Sequence, residues 1–128
     1  MRTLVLDTHA ALWWSFLPEK LGRTARKALD EAEELLLPGI IFWEAALLVR
    51  KGRIELPVTL EAWLSGLESS QRLRVVALDA RIALDADALR MHDDPADRFI
   101  VATALRCKAP LVTKDRAIRS TKLVQVVW

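Results

Sequence analysis

The stretch Thr3-Leu4-Val5-Leu6-Asp7 opens the chain with a short apolar run that ends in an acid. A run of this kind predicts a buried β-strand with Asp7 at its carboxyl end. Residues 10–16 follow directly, and their composition predicts a short helix. The stretch therefore begins an alternation of strand and helix, which the rest of the chain continues.

The remaining segments extend this alternation to the end of the chain. Helices are predicted at 24–34, 40–50, 59–67, 80–89, 95–108 and 114–118, and strands at 35–37, 73–78, 110–113 and 123–127. Asp94 and Pro95 are typical of the N-cap and first position of a helix. Strands that alternate with helices predict βαβ units. We therefore expect one domain, residues 1–128, with an α/β fold: a three-layer α/β/α sandwich around a mainly parallel sheet.

Size and composition favour a globular protein of the cytoplasm. A chain of 128 residues is long enough for one domain with a core and too short for two ordinary ones. No apolar run reaches the roughly 18 residues of a membrane span, and no secretory signal is evident. The lone Cys107 cannot form an internal disulfide, which agrees with a reducing compartment. We expect a soluble cytoplasmic protein with no membrane association.

Four acids stand beside hydrophobic segments. Asp7 and Asp115 follow predicted strands, and Asp97 lies in the first turn of a predicted helix. In parallel sheets, ligand sites gather at the carboxyl ends of the strands. Glu44 is the only ionisable residue in 40–49, and the apolar residues around it predict a buried carboxylate that needs compensation.

Each acid also has a purely structural explanation. Asp7 and Asp115 could be helix N-caps, Asp97 could interact with a helix dipole, and Glu44 could pair with an arginine or lie at a pocket rim. Together they are harder to explain in this way, because several carboxylates at one edge repel one another unless a cation lies among them. Oxygen ligands favour Mg²⁺ or Mn²⁺ over Zn²⁺. Such sites are typical of metal-assisted phosphodiester cleavage.

With these residues in place, the chain resembles the PIN-domain ribonucleases, and in particular the VapC-type toxins of type II toxin-antitoxin (VapBC) systems. The similarity lies in four motifs in the family's order, at residues 6–10, 43–44, 94–104 and 112–115. It implies that Asp7, Glu44, Asp97 and Asp115 form the family's acidic quartet. Asp7 and Asp97 would then bind the metal directly, and Glu44 and Asp115 would bind it directly or through water.

The resemblance also implies supporting residues and a function. Thr8 and Thr113 match hydroxyl positions that support the acids, and Asp94 is a helix cap that could also contact a water of the metal site. The implied function is a Mg²⁺- or Mn²⁺-dependent endoribonuclease toxin that cuts structured cellular RNA, either tRNA or rRNA, and arrests translation. The implied partners are a cognate VapB-like antitoxin and a second copy in a homodimer. Residues 54–72 match least.

Two other functions remain open. A strand-terminal Asp7 followed by Thr8 would also suit an aspartyl-phosphate phosphatase or phosphotransferase, although His9 stands where such enzymes have a second acid. A catalytically inactive PIN-like module that binds RNA or a protein is the alternative that is not an enzyme. The presence of all four acids argues against it, because a scaffold does not require them.

The basic and aromatic residues add further expectations. From Arg98 onward, seven basic residues accompany the single acid Asp115, which indicates either a phosphate-binding surface or solvated helix faces. Trp43 and Trp63 are expected in the core. Trp13 and Trp14 cannot share one helix face, so we expect one of them to be exposed unless an antitoxin or dimer partner covers it.

Overall fold

A computed structural model describes residues 2–128 of the chain and contains a five-stranded sheet. The strands are β1 (Thr3–Leu6), β2 (Glu34–Pro38), β3 (Leu73–Val76), β4 (Leu111–Val112) and β5 (Val126–Val127). Their order is β3-β2-β1-β4-β5, and each neighbouring pair is parallel. The predicted α/β fold with a mainly parallel sheet is confirmed.

Helices connect the strands. They are α1 (Thr8–Phe16), α2 (Arg23–Glu31), α3 (Ile40–Arg50), α4 (Leu60–Glu68), α5 (Ala80–Ala88), α6 (Pro95–Cys107) and α7 (Arg116–Thr121), with a 3₁₀ turn at Pro18–Lys20. Within residues 2–128, none of these helices has the length and apolar character needed to cross a bilayer.

The strand order creates a switch point at the middle of the sheet. From β1 the chain continues to β2 and β3 on one side, whereas β4 and β5 lie on the other. Leu6 pairs with Val112, so β1 and β4 reach their carboxyl ends side by side. Ligand crevices in parallel α/β sheets form at such a point. Asp7 follows directly after β1, which places it at this edge.

The central strands form the core. Leu4, Val5, Leu6, Leu35 and Leu111 are fully buried, as a sheet covered on both faces requires. β3 is the edge strand next to β2, and its two middle residues are exposed. A smaller apolar cluster joins α5 and α6.

Several predicted boundaries are wrong at the element ends. The helix predicted at 24–34 ends at Glu31, because Glu34 pairs with Thr3 in the sheet. Pro38, predicted to break the second strand, is its last residue and pairs with Val76. Proline is tolerated at this strand end, where the Gly39 N–H takes over the hydrogen bonding by donating to the Val76 carbonyl.

The remaining differences concern the third strand and the chain's last segments. The strand predicted at 73–78 ends at Val76, and the one predicted at 123–127 is only Val126–Val127. The helix predicted at 114–118 is instead Arg116–Thr121, because Asp115 caps it from outside. Helix α1 begins at Thr8 rather than at residue 10 for the same reason, with Asp7 as its N-cap.

The burial of the tryptophans differs from the prediction. Trp63 is 4% exposed and lies in the core as expected, whereas Trp43 is 54% exposed and its predicted core position is wrong. The fully buried residues of α3 are Ile41 and Ala45, so position 43 points away from the core. Trp13 and Trp14 are both partly buried against the core, so the expectation that one is exposed is also wrong.

Candidate active site

A cavity of about 610 Å³ lies at the carboxyl edge of β1 and β4. Its lining contains all four predicted acids together with Thr8 and Asp94, and is formed by Asp7, Thr8, His9, Trp13, Glu44, Asp94, Asp97, Ile100, Lys114, Asp115 and Arg116. Thr113, the other predicted supporting residue, is completely buried and does not line the cavity. The structure therefore brings the four acids, Thr8 and Asp94 to one cavity and leaves Thr113 in the core behind it.

Asp7 has two structural tasks at the edge of the sheet. Its backbone N–H donates to the Val112 carbonyl at 3.2 Å, which continues the β1–β4 pairing. The Ala10 N–H donates to Asp7 Oδ1 at 2.8 Å and starts α1. The helix-cap explanation for Asp7 is thus correct, and the same carboxylate also lines the cavity.

The pKa of Asp7 is raised from 3.8 to about 7. Burial of the carboxyl group is the main cause, since it disfavours the charged form. Hydrogen bonds from Thr113 and Ala10 oppose this shift, and the charges of Asp97 and Glu44 add to it. A cation beside Asp7 would favour its ionised form.

Glu44 is half-buried rather than fully buried as its apolar neighbours predicted. It lies three residues after the buried Ile41 and therefore at the border of the buried face of α3, where it reaches the cavity. The buried Thr8 hydroxyl donates a hydrogen bond to Glu44 Oε1. Within residues 2–128 Glu44 forms no ion pair with an arginine.

Asp97 is held at the start of α6. Its N–H donates to Asp94 Oδ1 at 3.0 Å, so Asp94 is the predicted helix cap and also lines the cavity. His92 Nε2 lies at hydrogen-bond distance, 2.8 Å, from Asp97 Oδ2. Burial raises the pKa of Asp97, the hydrogen bond from His92 lowers it, and the charges of Asp94 and Asp115 raise it.

His92 itself is fixed through Arg98, and sequence reasoning assigned neither residue to the site. The Arg98 guanidinium donates to the backbone carbonyls of Ala86 at 2.7 Å, Leu89 at 3.1 Å, Met91 at 2.9 Å and His92 at 3.2 Å. Arg98 thereby holds the whole connection between α5 and α6. The only signal in the sequence was a histidine five residues before Asp97.

Asp115 and Asp7 are joined through Thr113. The Asp115 N–H donates to the Thr113 hydroxyl at 3.0 Å, and the Thr113 side chain also hydrogen-bonds to Asp7. The Ile118 N–H donates to Asp115 Oδ1 at 2.9 Å and starts α7. One buried threonine thus fixes the relative positions of two of the acids.

The acids share the cavity without forming a closed cage. Within residues 2–128, no three Asp, Glu, His or Cys side chains are close enough together to form a metal-binding cluster. Mg²⁺ needs no such cluster, because it commonly binds one or two carboxylates and keeps several waters. The second carboxylate oxygens of Glu44, Asp97 and Asp115 accept no hydrogen bond from residues 2–128. Oxygen donors of this kind fit a hard divalent cation.

Comparison with known proteins places the chain in a family. The PIN domain profile matches residues 4–123. The chain is 40% identical to Ribonuclease VapC22 of Mycobacterium tuberculosis over 122 residues, which cover 94% of this chain and 92% of that protein. The chain belongs to the VapC-type PIN-domain family. The predicted family resemblance is therefore confirmed.

Solved structures of VapC-type proteins share the fold at low sequence identity. Mycobacterium tuberculosis VapC20, described as a sarcin-ricin loop cleaving toxin, aligns with a TM-score of 0.68 at 16% identity, over 98% of this chain and 99% of that one. A chain of the Rickettsia felis VapBC2 complex, bound to a promoter DNA fragment, aligns with a TM-score of 0.66 at 15% identity, over 97% and 96%. These similarities confirm the PIN-like α/β fold.

Proposed function

We propose that this VapC-type PIN domain is a Mg²⁺- or Mn²⁺-dependent endoribonuclease toxin. The observation that carries the proposal is the convergence of Asp7, Glu44, Asp97 and Asp115 on one cavity at the switch point of the sheet. The 40% identity to a protein named as a ribonuclease supports RNA as the substrate. It also favours this function over the aspartyl-phosphate enzyme and the inactive binding module.

The four acids would bind the metal in two ways. Asp7 and Asp97 would bind it directly, and Glu44 and Asp115 directly or through water. Once bound, the ion would lower the pKa of the attacking water and neutralise charge on the leaving oxygen. Thr8 would orient Glu44 through its hydrogen bond.

The other supporting residues would keep the two direct ligands in place. Thr113 would fix Asp7 relative to Asp115, and His92 would orient Asp97 through its hydrogen bond. Asp94 would hold the first turn of α6 through its bond to the Asp97 N–H. Support of this kind typically contributes 10- to 100-fold to metal affinity or activity.

The substrate and partners are inferred from the relatives. VapC20 is described as cleaving the sarcin-ricin loop, so we propose structured RNA of the translation apparatus, either rRNA or tRNA, cut in the cytoplasm with arrest of translation. The folds of chains in VapBC2 and in a toxin-antitoxin complex from Klebsiella pneumoniae support a VapB-like antitoxin as partner. We further propose that the toxin forms homodimers.

The test is RNA cleavage by purified protein that is free of antitoxin. We expect total RNA to be cut at discrete positions with Mn²⁺ or Mg²⁺ and to remain intact with EDTA. Asp97→Asn should abolish cutting while the circular dichroism spectrum stays unchanged. Asp30→Asn, which makes the same charge change at an exposed position outside the cavity, should cut like wild type. Cleavage by Asp97→Asn at the wild-type rate would refute the proposal.

A further inference from the structure

Two lysines meet at one aromatic ring beside the acidic cavity. Lys20 Nζ lies 5.9 Å from the ring centroid of Trp13, and Lys114 Nζ lies 5.7 Å from it. Both distances are within the range of cation-π attraction, for which tryptophan is the strongest partner. Trp13 and Lys114 also line the cavity itself. One ring that lines the cavity therefore has both ammonium groups within cation-π range.

The ring is itself held in place. Trp13 packs against Trp128 with 5.7 Å between ring centroids and against His9 with 5.4 Å. It is partly buried against the core, whereas both lysines are exposed. The lysines come from separate parts of the chain, one from the 3₁₀ turn after α1 and the other from the loop between β4 and α7. A rigid aromatic base thus brings together two cations that are distant in sequence.

These cations have no ion-pair partner in the part of the chain that the structure describes. Neither Lys20 nor Lys114 forms an ion pair anywhere in residues 2–128, although five carboxylates line the neighbouring cavity. Arg116, which also lines the cavity, likewise forms none. A phosphate would therefore pair with each ammonium group without first displacing a carboxylate. The acids of the cavity would by themselves repel RNA, which is a polyanion. Basic residues beside the cavity would offset this repulsion.

We propose that Lys20 and Lys114, gathered on Trp13, form a phosphate-binding subsite for the RNA backbone next to the acidic cavity. The proposal deepens the proposed function and rests on it for the choice of RNA as ligand. The subsite binds backbone phosphates other than the one that is cut, one at each lysine, because the scissile phosphate must reach the acids. It therefore contributes to substrate affinity and positions the strand across the cavity without taking part in the chemical step.

The expected contribution of each lysine to RNA affinity follows from counterion release. Each phosphate contact to single-stranded nucleic acid contributes about −0.7 to the slope of log K against log salt concentration. At roughly 0.15 M salt this slope corresponds to about 4-fold in affinity per lysine and about 14-fold for both. Loss of one lysine should therefore lower the slope's magnitude by about 0.7, and loss of both by about 1.4.

The experiment measures binding separately from cleavage. A fluorescein-labelled single-stranded RNA oligonucleotide of mixed sequence is titrated with the full chain in EDTA, and fluorescence anisotropy is followed at several salt concentrations. Lys20→Met, Lys114→Met and the double variant should weaken binding and flatten the salt dependence by the amounts above. Lys27→Met, which removes the same charge from an exposed position of α2 outside the cavity, should weaken binding less and leave the slope nearly unchanged.

Two further measurements separate this site from a merely structural one. If the lysines only stabilise the fold through Trp13, their loss should lower the melting temperature and leave the salt slope at the wild-type value, and that result would overturn the proposal. Trp13→Phe keeps an aromatic ring and both charges. We therefore expect it to lose less RNA affinity than the double lysine variant and more than wild type. A wild-type protein that binds the oligonucleotide with a lysine-dependent slope but cuts no RNA with Mn²⁺ would refute the nuclease and leave the subsite standing.

Discussion

Replacement of Arg98 by methionine should loosen the connection between α5 and α6. The guanidinium donates five hydrogen bonds of 2.7 to 3.4 Å to backbone carbonyls of residues 86–92, and its side chain is only 19% exposed. A hydrogen bond from a charged group contributes about 1.5 to 3 kcal/mol. Water can replace some of these bonds, because the segment is partly exposed, so we expect a loss of about 3 kcal/mol in the free energy of unfolding rather than the full sum.

The loss can be measured by thermal and urea denaturation. An unfolding entropy of about 2.1 cal/mol/K per residue converts 3 kcal/mol into a fall in melting temperature of roughly 11 °C for this chain. Arg106→Met is the matched control on the same helix, because Arg106 forms a half-exposed ion pair with Asp85 that should contribute no more than about 1 kcal/mol. RNA cleavage by Arg98→Met should also fall, since His92 loses its support. Equal destabilisation by the two variants would show that the carbonyl bonds do not hold the segment.

Two further predictions concern the acids and their supports. Because the folded pKa of Asp7 is raised from 3.8 to about 7, the folded state binds more protons than the unfolded state between these pH values, so Asp7 makes stability fall as pH rises through this window. Asp7→Asn should therefore flatten the pH dependence of the free energy of unfolding between pH 4 and 8, and raise this free energy at pH 8 by on the order of 4 kcal/mol in EDTA. An unchanged pH profile would contradict the raised pKa. Thr8→Val removes the hydroxyl that donates to Glu44 and should lower the rate of RNA cleavage about 10-fold or more. Thr24→Val, at an exposed position of α2, is its control, and equal rates for both variants would mean that Thr8 does not orient Glu44.

Much of the cavity could be predicted because its acids are tied to local sequence signals. Asp7 follows an apolar run that predicts a buried strand, and Asp94 and Pro95 mark the start of α6. Such signals depend on neighbouring residues alone. The carboxyl ends of parallel strands then bring Asp7 and Asp115 to one edge whatever the details of packing.

The errors arose where tertiary contacts decide. The segment 40–50 is apolar nearly all round, so its composition does not reveal which face packs on the sheet, and Trp43 and Glu44 were both expected to be more buried than they are. His92 and Arg98 act across an irregular connection that has no periodicity to interpret. The position of Lys114 over Trp13 depends on a contact between residues that are 101 positions apart in the printed chain.

The carboxylates of Asp7 and Asp115 start helices and line the cavity at the same time. Any molecule that has completed α1 and α7 has therefore also placed two of the four acids, so helix formation and assembly of this part of the cavity are one event. A change at either position affects a helix start and the cavity together, and its effect on stability has to be measured before a loss of function is attributed to the cavity.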